Sequence, residues 1–480
     1  MDTSTTSNAS AAGFPWYSLF PEIRLLVLQC ILPKNEHGET TVDHLPEFSK
    51  AVSGENSIRL SYIDRLRFYI RLAQYTECLF DKPESADNIK WNNQAFTRAM
   101  VIYLNALSSW NGLRGGLTLE ITAYSPSDEI FHPLCLDIRN EYPFRFEEDL
   151  EKCPSYLEYY KKKRADIMSS EVIRRSAVVR RGMAQRLHGT PLELQPWLVE
   201  REKRFSNQTR SLARVPIVKG LILRRSLFRG ITGKALAKLF RESFVALERW
   251  EGRTKEDDDA FLTGLQSHLM PNLPVGVRSF SLIQMQILAH RYQATHEIVG
   301  PLLQLMAKSC HRFTNFCPPL ELNAKAFFKQ LILEAKHTRS KLECLTLRAD
   351  SLRPSTSQQS VTALLTAAGR AANKLPRRRV IELWNSGQGY GYLFRYAQKD
   401  RRATITWRSA GQDFELAPQV IRVWSKVAGS LTLIVEKSPF TEDEVGSKGF
   451  KHKTILSHLA LRRLIFDPIT EAQWIVMTKP

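Results

Sequence analysis

The 480-residue chain has no apolar run approaching the ~18 residues a membrane span needs. Its first twelve residues are rich in Ser and Thr and lack the apolar core of a signal peptide. The seven cysteines, at 30, 78, 135, 153, 310, 317 and 344, are odd in number and form no C-x-x-C pair. Together these absences predict a chain of the cytoplasm or nucleus, with no membrane association and with its thiols as small core residues.

Enzyme signatures are missing too. There is no G-x-S-x-G and no H-E-x-x-H. Gly230-Ile231-Thr232-Gly233-Lys234-Ala235 resembles a phosphate loop only briefly, because its glycines are too close and Ala235 lacks the hydroxyl that would hold Mg²⁺. Gly387-Gln388-Gly389-Tyr390-Gly391 reads as a turn, without the G-x-G-x-x-G spacing. His290, His296, Cys310, His311 and Cys317 do not match structural zinc spacings. The expectation is a non-enzymatic protein with no catalytic residue, metal or cofactor.

What the sequence has in excess is positive charge: 68 Lys+Arg against 49 Asp+Glu, a net of +19. Residues 161–255 hold 24 Lys+Arg and 8 Asp+Glu, a net of +16. Such a block creates a field able to attract phosphate, anionic lipid or an acidic protein. The same block also suits a solvated helical face balanced by acidic neighbours elsewhere. If it has a partner, a nucleic acid or an acidic protein, Arg180, Arg181, Arg224 and Arg225 are the candidate contacts.

Hydropathy patterning gives the rest. Leu66, Phe68, Ile70 and Leu72 alternate with polar residues as in a strand, and Phe96, Met100, Leu104 and Leu107 fall at helical spacing. Further strands are predicted at 117–124, 218–223, 277–282, 319–324, 342–347, 379–384, 403–407, 431–435 and 456–461. Helices are predicted at 235–250, 297–309, 324–336 and 361–373. From Leu320 onward the strands recur every 22 to 37 residues, close to the ~20–29 of leucine-rich repeats. The predicted fold is α/β, an irregular leucine-rich-repeat-like solenoid over 61–480, with a single wound sheet as the alternative. A basic helical insertion is expected at about 125–215, where the strand spacing is too long for one repeat. Residues 1–13 read as a disordered tail.

The run Trp16-Tyr17-Ser18-Leu19-Phe20-Pro21-Glu22-Ile23-Arg24 resembles the opening of an F-box. Pro21 suits the first turn of a helix, and Ile23, Leu26, Val27 and Ile31 share one face of it. The tract Leu117-Thr118-Leu119-Glu120-Ile121-Thr122-Ala123-Tyr124-Ser125-Pro126-Ser127-Asp128 looks like part of a fungal family of F-box-like proteins of unknown function. So do the strand leading to Arg224-Arg225 and the run Glu382-Leu383-Trp384-Asn385-Ser386-Gly387 followed by Phe394-Arg395-Tyr396. The resemblance implies a short helical F-box-like segment and linker at 14–60. It also implies an adaptor that binds the Skp-type linker subunit of a cullin–RING ubiquitin ligase and recruits a protein target of unknown identity. Leu19, Pro21, Ile23, Leu26 and Ile31 would make the Skp-type contact. The same helix would equally serve to close the end of a repeat array.

Overall fold

The computed structural model describes residues 63, 65–110, 116–131, 177–196, 198, 211–223, 229–255, 263–285, 296–319, 322–334, 340–411, 413–445, 450 and 452–465. These residues form an open sheet of 11 strands whose spatial order is the sequence order. The strands are β1 (Arg65–Arg71), β2 (Leu117–Tyr124), β3 (Val218–Leu223), β4 (Arg249–Lys255), β5 (Ser279–Met285), β6 (Asn315–Cys317), β7 (Cys344–Arg348), β8 (Val380–Gly387), β9 (Tyr390–Lys399), β10 (Arg402–Ala410) and β11 (Thr432–Lys437). The helices are α1 (Ala86–Ser108), α2 (Pro126–Phe131), α3 (Ala177–His188), α4 (Gly233–Glu242), α5 (His296–Ser309), α6 (Ala324–Glu334), α7 (Gln358–Ala372), α8 (Pro418–Ala428), α9 (Glu442–Val445), α10 (His452–His458) and α11 (Arg462–Ile465), with a π-helical turn at Leu265–Leu269. Among them no helix is long and apolar enough to cross a membrane.

Neighbouring strands are parallel except along β8–β9–β10. Parallel pairs need a crossover, and helices supply it between several of them. The two antiparallel steps use two-residue turns. Gly389 adopts φ +79° in the first, and Asp400 and Arg401 adopt φ +49° and +62° in the second, the paired left-handed geometry of a type I′ hairpin.

The register sorts the side chains into two faces. Leu66, Leu119, Leu221, Trp250, Phe280, Phe316, Leu345, Ile381, Tyr396, Ile405 and Val435 line up as one row across all 11 strands, and every member is apolar or aromatic. Most of this row is buried in one continuous cluster with residues of the longer helices. Phe68 stacks on Tyr103 of α1, Phe316 on Phe327 of α6, and Tyr396 packs 4.9 Å from Trp424 of α8. One residue along each strand, the row on the opposite face is mostly polar: Arg67, Glu120, Ile222, Glu251, Ser281, Cys317, then Thr346, Glu382, Arg395, Thr406 and Glu436. Alternation with period two produces this division.

Several sequence expectations shift. The stretch 319–324 is not a strand in its described residues: the strand is Asn315–Cys317, Leu322 packs in the core as a loop residue, and Ala324 opens α6. The stretch 456–461 is the end of α10 and a turn, because Ile455 and Leu456 of the helix and Leu459 just after it pack against the sheet. The helix expected at 235–250 ends at Glu242, and Arg249 already belongs to β4. Gly230–Ala235 is a helix start, with the Thr232 hydroxyl accepting from the Ala235 N–H.

Candidate interaction face

Two polar constructions are built on this frame. The first lies just beyond the C-terminal ends of β1 and β2. Asp128 accepts from the Tyr75 hydroxyl at 2.8 Å and from the Ser125 N–H at 2.8 Å. The Arg229 guanidinium bridges Asp128 at 3.3 Å and Glu84 at 3.0 Å, and all three side chains are 1–2% exposed. Glu84 also accepts from Asn92 and from the Thr190 N–H. Arg186 donates to Asn88 Oδ1 and lies 4.3 Å over the Tyr75 ring. Burial alone would lower the Arg229 pKa, but Asp128 and Glu84 hold it above its ordinary value. Burial and the Asp128 carboxylate raise the Tyr75 phenol. Arg229 is paired with both carboxylates, while Arg186 is held by Asn88 Oδ1 and the Tyr75 ring. Its chemistry is that of a clamp, tying α3 and the loop before α4 to the ends of the first strands.

The second construction covers part of the polar face. The described residues between 439 and 465 form a strap in which α10 lies on β8 and β9, and α11 on β5 and β6. Phe440, Phe450, Ile455, Leu456, Leu459 and Ile465 of the strap pack on Cys317, Trp384 and Leu393 of the sheet. A methyl group added at Gly391 would come within 2.1 Å of the Phe450 ring, so the glycine is what seats that ring on β9.

Three sheet side chains anchor the strap. Glu382 of β8, fully buried, accepts from the Ala460 N–H at 2.7 Å and the Leu461 N–H at 2.9 Å. Arg395 of β9 donates to the His458 carbonyl at 3.1 Å and lies 3.5 Å from Glu382. Arg408 of β10 donates to Glu444 at 2.7 Å and to His458 Nδ1 at 2.9 Å. A guanidinium can only donate, so Nδ1 accepts and the neutral ring carries its proton on Nε2, 3.3 Å from Glu444 Oε1. Glu444 also accepts from the Thr441 N–H while Thr441 Oγ1 accepts from the Glu444 N–H, the reciprocal pair of a capping box. Burial raises the Glu382 carboxyl, opposed by the two N–H groups and Arg395. The Arg408 hydrogen bond pulls Glu444 down to about 2. Burial, then the Arg408 charge, lowers His458.

A pocket of about 330 Å³ opens beside the start of the strap, lined among others by Ser409, Gly411, Asp413, Phe440 and Phe450. Asp413 accepts there from Ser409 and pairs with Lys437 at 2.7 Å. Among the described residues, no group of three or more His, Cys, Asp and Glu is arranged to hold a metal ion.

The sequence-predicted contacts are spread unevenly. Leu19, Pro21, Ile23, Leu26 and Ile31 lie outside the described residues, as do Arg224 and Arg225. Arg180 and Arg181 are both on α3, and Arg181 is exposed. Other cations of the 161–255 block are engaged internally: Arg186 and Arg229 in the knot, Lys219 with Glu248, and Lys238 with Glu242. Glu382, Arg395, Arg408 and Cys317 were not predicted as site residues. Glu382 and Arg395 lie in runs that resemble the fungal family, and alternation put Glu382 between Ile381 and Leu383 and Arg395 between Phe394 and Tyr396, but neither signal marked them as contacts.

The strap and the strands beneath it fall within a stretch that matches a family model. Residues 273–467 are similar to a family of unknown function, DUF6546. The match covers less than half of the chain, beginning shortly before β5 and ending just past α11. No curated protein matches the chain.

Proposed function

We propose that the sheet is an irregular leucine-rich-repeat-like solenoid and that the chain is an F-box-like substrate-recruiting adaptor of a Skp–cullin–RING ubiquitin ligase, acting through protein–protein contacts and without catalysis. The observation that carries the reading is the unbroken sequential strand order. A doubly wound sheet reverses its strand order and binds ligands at the resulting crevice. A sheet that only adds strands in one direction has no such switch point. It offers a long face instead, as stacked repeats do. The division of that sheet into an apolar row packed on helices and a polar row on the other side supports the same reading. The resemblance of residues 16–24 to an F-box, and of the Leu117–Asp128 and Glu382–Gly387 runs to a fungal F-box-like family, supplies the ligase link.

Co-purification tests it. The full chain should retain a Skp-type subunit, and deletion of residues 14–33, or the pair Leu19→Asp and Ile23→Asp, should abolish retention. A full chain that retains none sinks the adaptor reading.

A further inference from the structure

We propose that the C-terminal part of the strap, its described residues from Phe450 to Ile465, is displaceable, an internal occupant of the polar face that holds the place of a partner's polypeptide segment. The inference rests on the reading of this face as the recruiting surface. Three observations point to it. The first is that Glu382 and Arg395 grip the strap by its main chain: Glu382 takes the N–H groups of Ala460 and Leu461, and Arg395 takes the His458 carbonyl. Main-chain groups are common to all polypeptides, so these anchors would hold a foreign segment as readily as the strap.

The second is that the strap leaves the strip beneath it incompletely satisfied. Ser281, Cys317, Thr346 and Glu382 are consecutive members of the polar row and are 4%, 1%, 0% and 0% exposed. Cys317 and Glu382 touch the strap directly. Among the described residues the Ser281 and Thr346 hydroxyls have no hydrogen-bond partner. A buried hydroxyl without a partner is a net loss to the closed state. A segment bringing its own polar groups over β5–β7 would give these hydroxyls partners that the described residues of the strap do not supply.

The third is that the strap's own helices are short. α10 has seven residues and α11 has four, too few to persist in water without packing. Once lifted, the strap has no folded alternative, and its closure depends on Glu382, Arg395, Arg408 and the seat made by Gly391. The ligand class that fits is therefore a polypeptide segment with apolar side chains for Trp384 and Leu393 and two adjacent N–H groups for Glu382.

Cys317 reports on the strap directly, since it is buried beneath it. In the native full-length chain, alkylation by iodoacetamide, mapped by peptide mass, should be slow at Cys317. Glu382→Gln, which removes the anchoring charge, and Gly391→Ala, which unseats Phe450, should each speed it about tenfold or more, the equilibrium effect of losing one charge-assisted contact. Amide protection at Ala460 and Leu461 should fall with it, and fall further than protection in β8, β9 and β10. Unchanged Cys317 labelling in both variants overturns the proposal. So does labelling that rises only together with exchange in β1 and β2, because that is global unfolding. The readout needs no partner: a strap that opens in a chain retaining no Skp-type subunit sinks the adaptor reading alone, and a fixed strap in a chain that retains the subunit sinks this one alone.

Discussion

Arg229 carries a charge that folding has taken out of water, and among the described residues Glu84 and Asp128 compensate it. Removing one partner of a buried pair leaves the other charge uncompensated, at a cost of about 3–5 kcal/mol. Arg229→Met should therefore destabilise the chain by that order in urea unfolding. Arg229→Lys should recover little, because an ammonium cannot reproduce the spread donors that reach two carboxylates. Arg181→Ala, at an exposed position of α3, should change stability by no more than about 0.5 kcal/mol. The knot was only half legible in sequence. The Leu117–Asp128 run stood out as a motif, and its last residues prove to be the acceptors Ser127 and Asp128. Glu84 and Arg229 did not stand out, because they lie 44 and 101 residues from Asp128 along the chain, and only the parallel pairing of β1, β2 and β3 brings the three together.

Elements were legible where hydropathy decided them and missed where turn geometry or charge did. The Leu117–Tyr124 strand matched in full because its apolar residues alternate, and Val218–Leu223 matched as a short apolar run. β4 was missed because Arg249, Glu251, Arg253 and Lys255 leave its sequence with little hydropathy to mark a strand. β9 was missed because its turn into β10 is Asp400-Arg401, with φ positive at both positions but no glycine to announce it. The strap was misread for a related reason: Leu456 and Leu459 fit a repeat pattern, and only packing against β8 and β9 decides for helix. Its polar end makes a pH prediction. His458 faces Arg408 of β10, Arg395 of β9 and Glu444 of α9, and its pKa is lowered. A lowered histidine contributes stability that is present above its unfolded value near 6.5 and is lost as pH falls through the lower folded value. Glu444 is depressed to about 2. Its contribution is complete above the ordinary carboxylate range and disappears as pH falls toward 2. Urea unfolding of Glu444→Gln and of the parent chain should thus differ at pH 6 and converge near pH 2. A difference that persists unchanged at pH 2 would exclude the Arg408–Glu444 pair as its source.

At the scale of the whole molecule, the order of the elements could be read from the recurring strand–helix spacing, but the weak point of the sheet could not. β6 is three residues long, where β8, β9 and β10 have eight, ten and nine. It pairs with β7 through Asn315 and Phe316 alone. On the apolar face the loss is offset by stacking of Phe316 with Phe280, Phe313 and Phe327 at 5.3, 5.5 and 6.3 Å. On the polar face the strap crosses the same seam, with α11 on β5 and β6 and α10 on β8 and β9. A stack in which each unit touches mainly its neighbours unfolds at its weakest interface when nothing bridges it. The strap therefore couples the first five strands to the last five, and loosening it should uncouple them. In the parent chain, denaturant-dependent amide exchange should open β5 and β7–β10 at one common free energy. In Gly391→Ala, β1–β5 and β7–β10 should open at separate denaturant concentrations, with β6 exchanging with the weaker set. If both chains show one shared transition, ladder and aromatic pairing alone carry the seam, and the strap contributes nothing to the unity of the sheet.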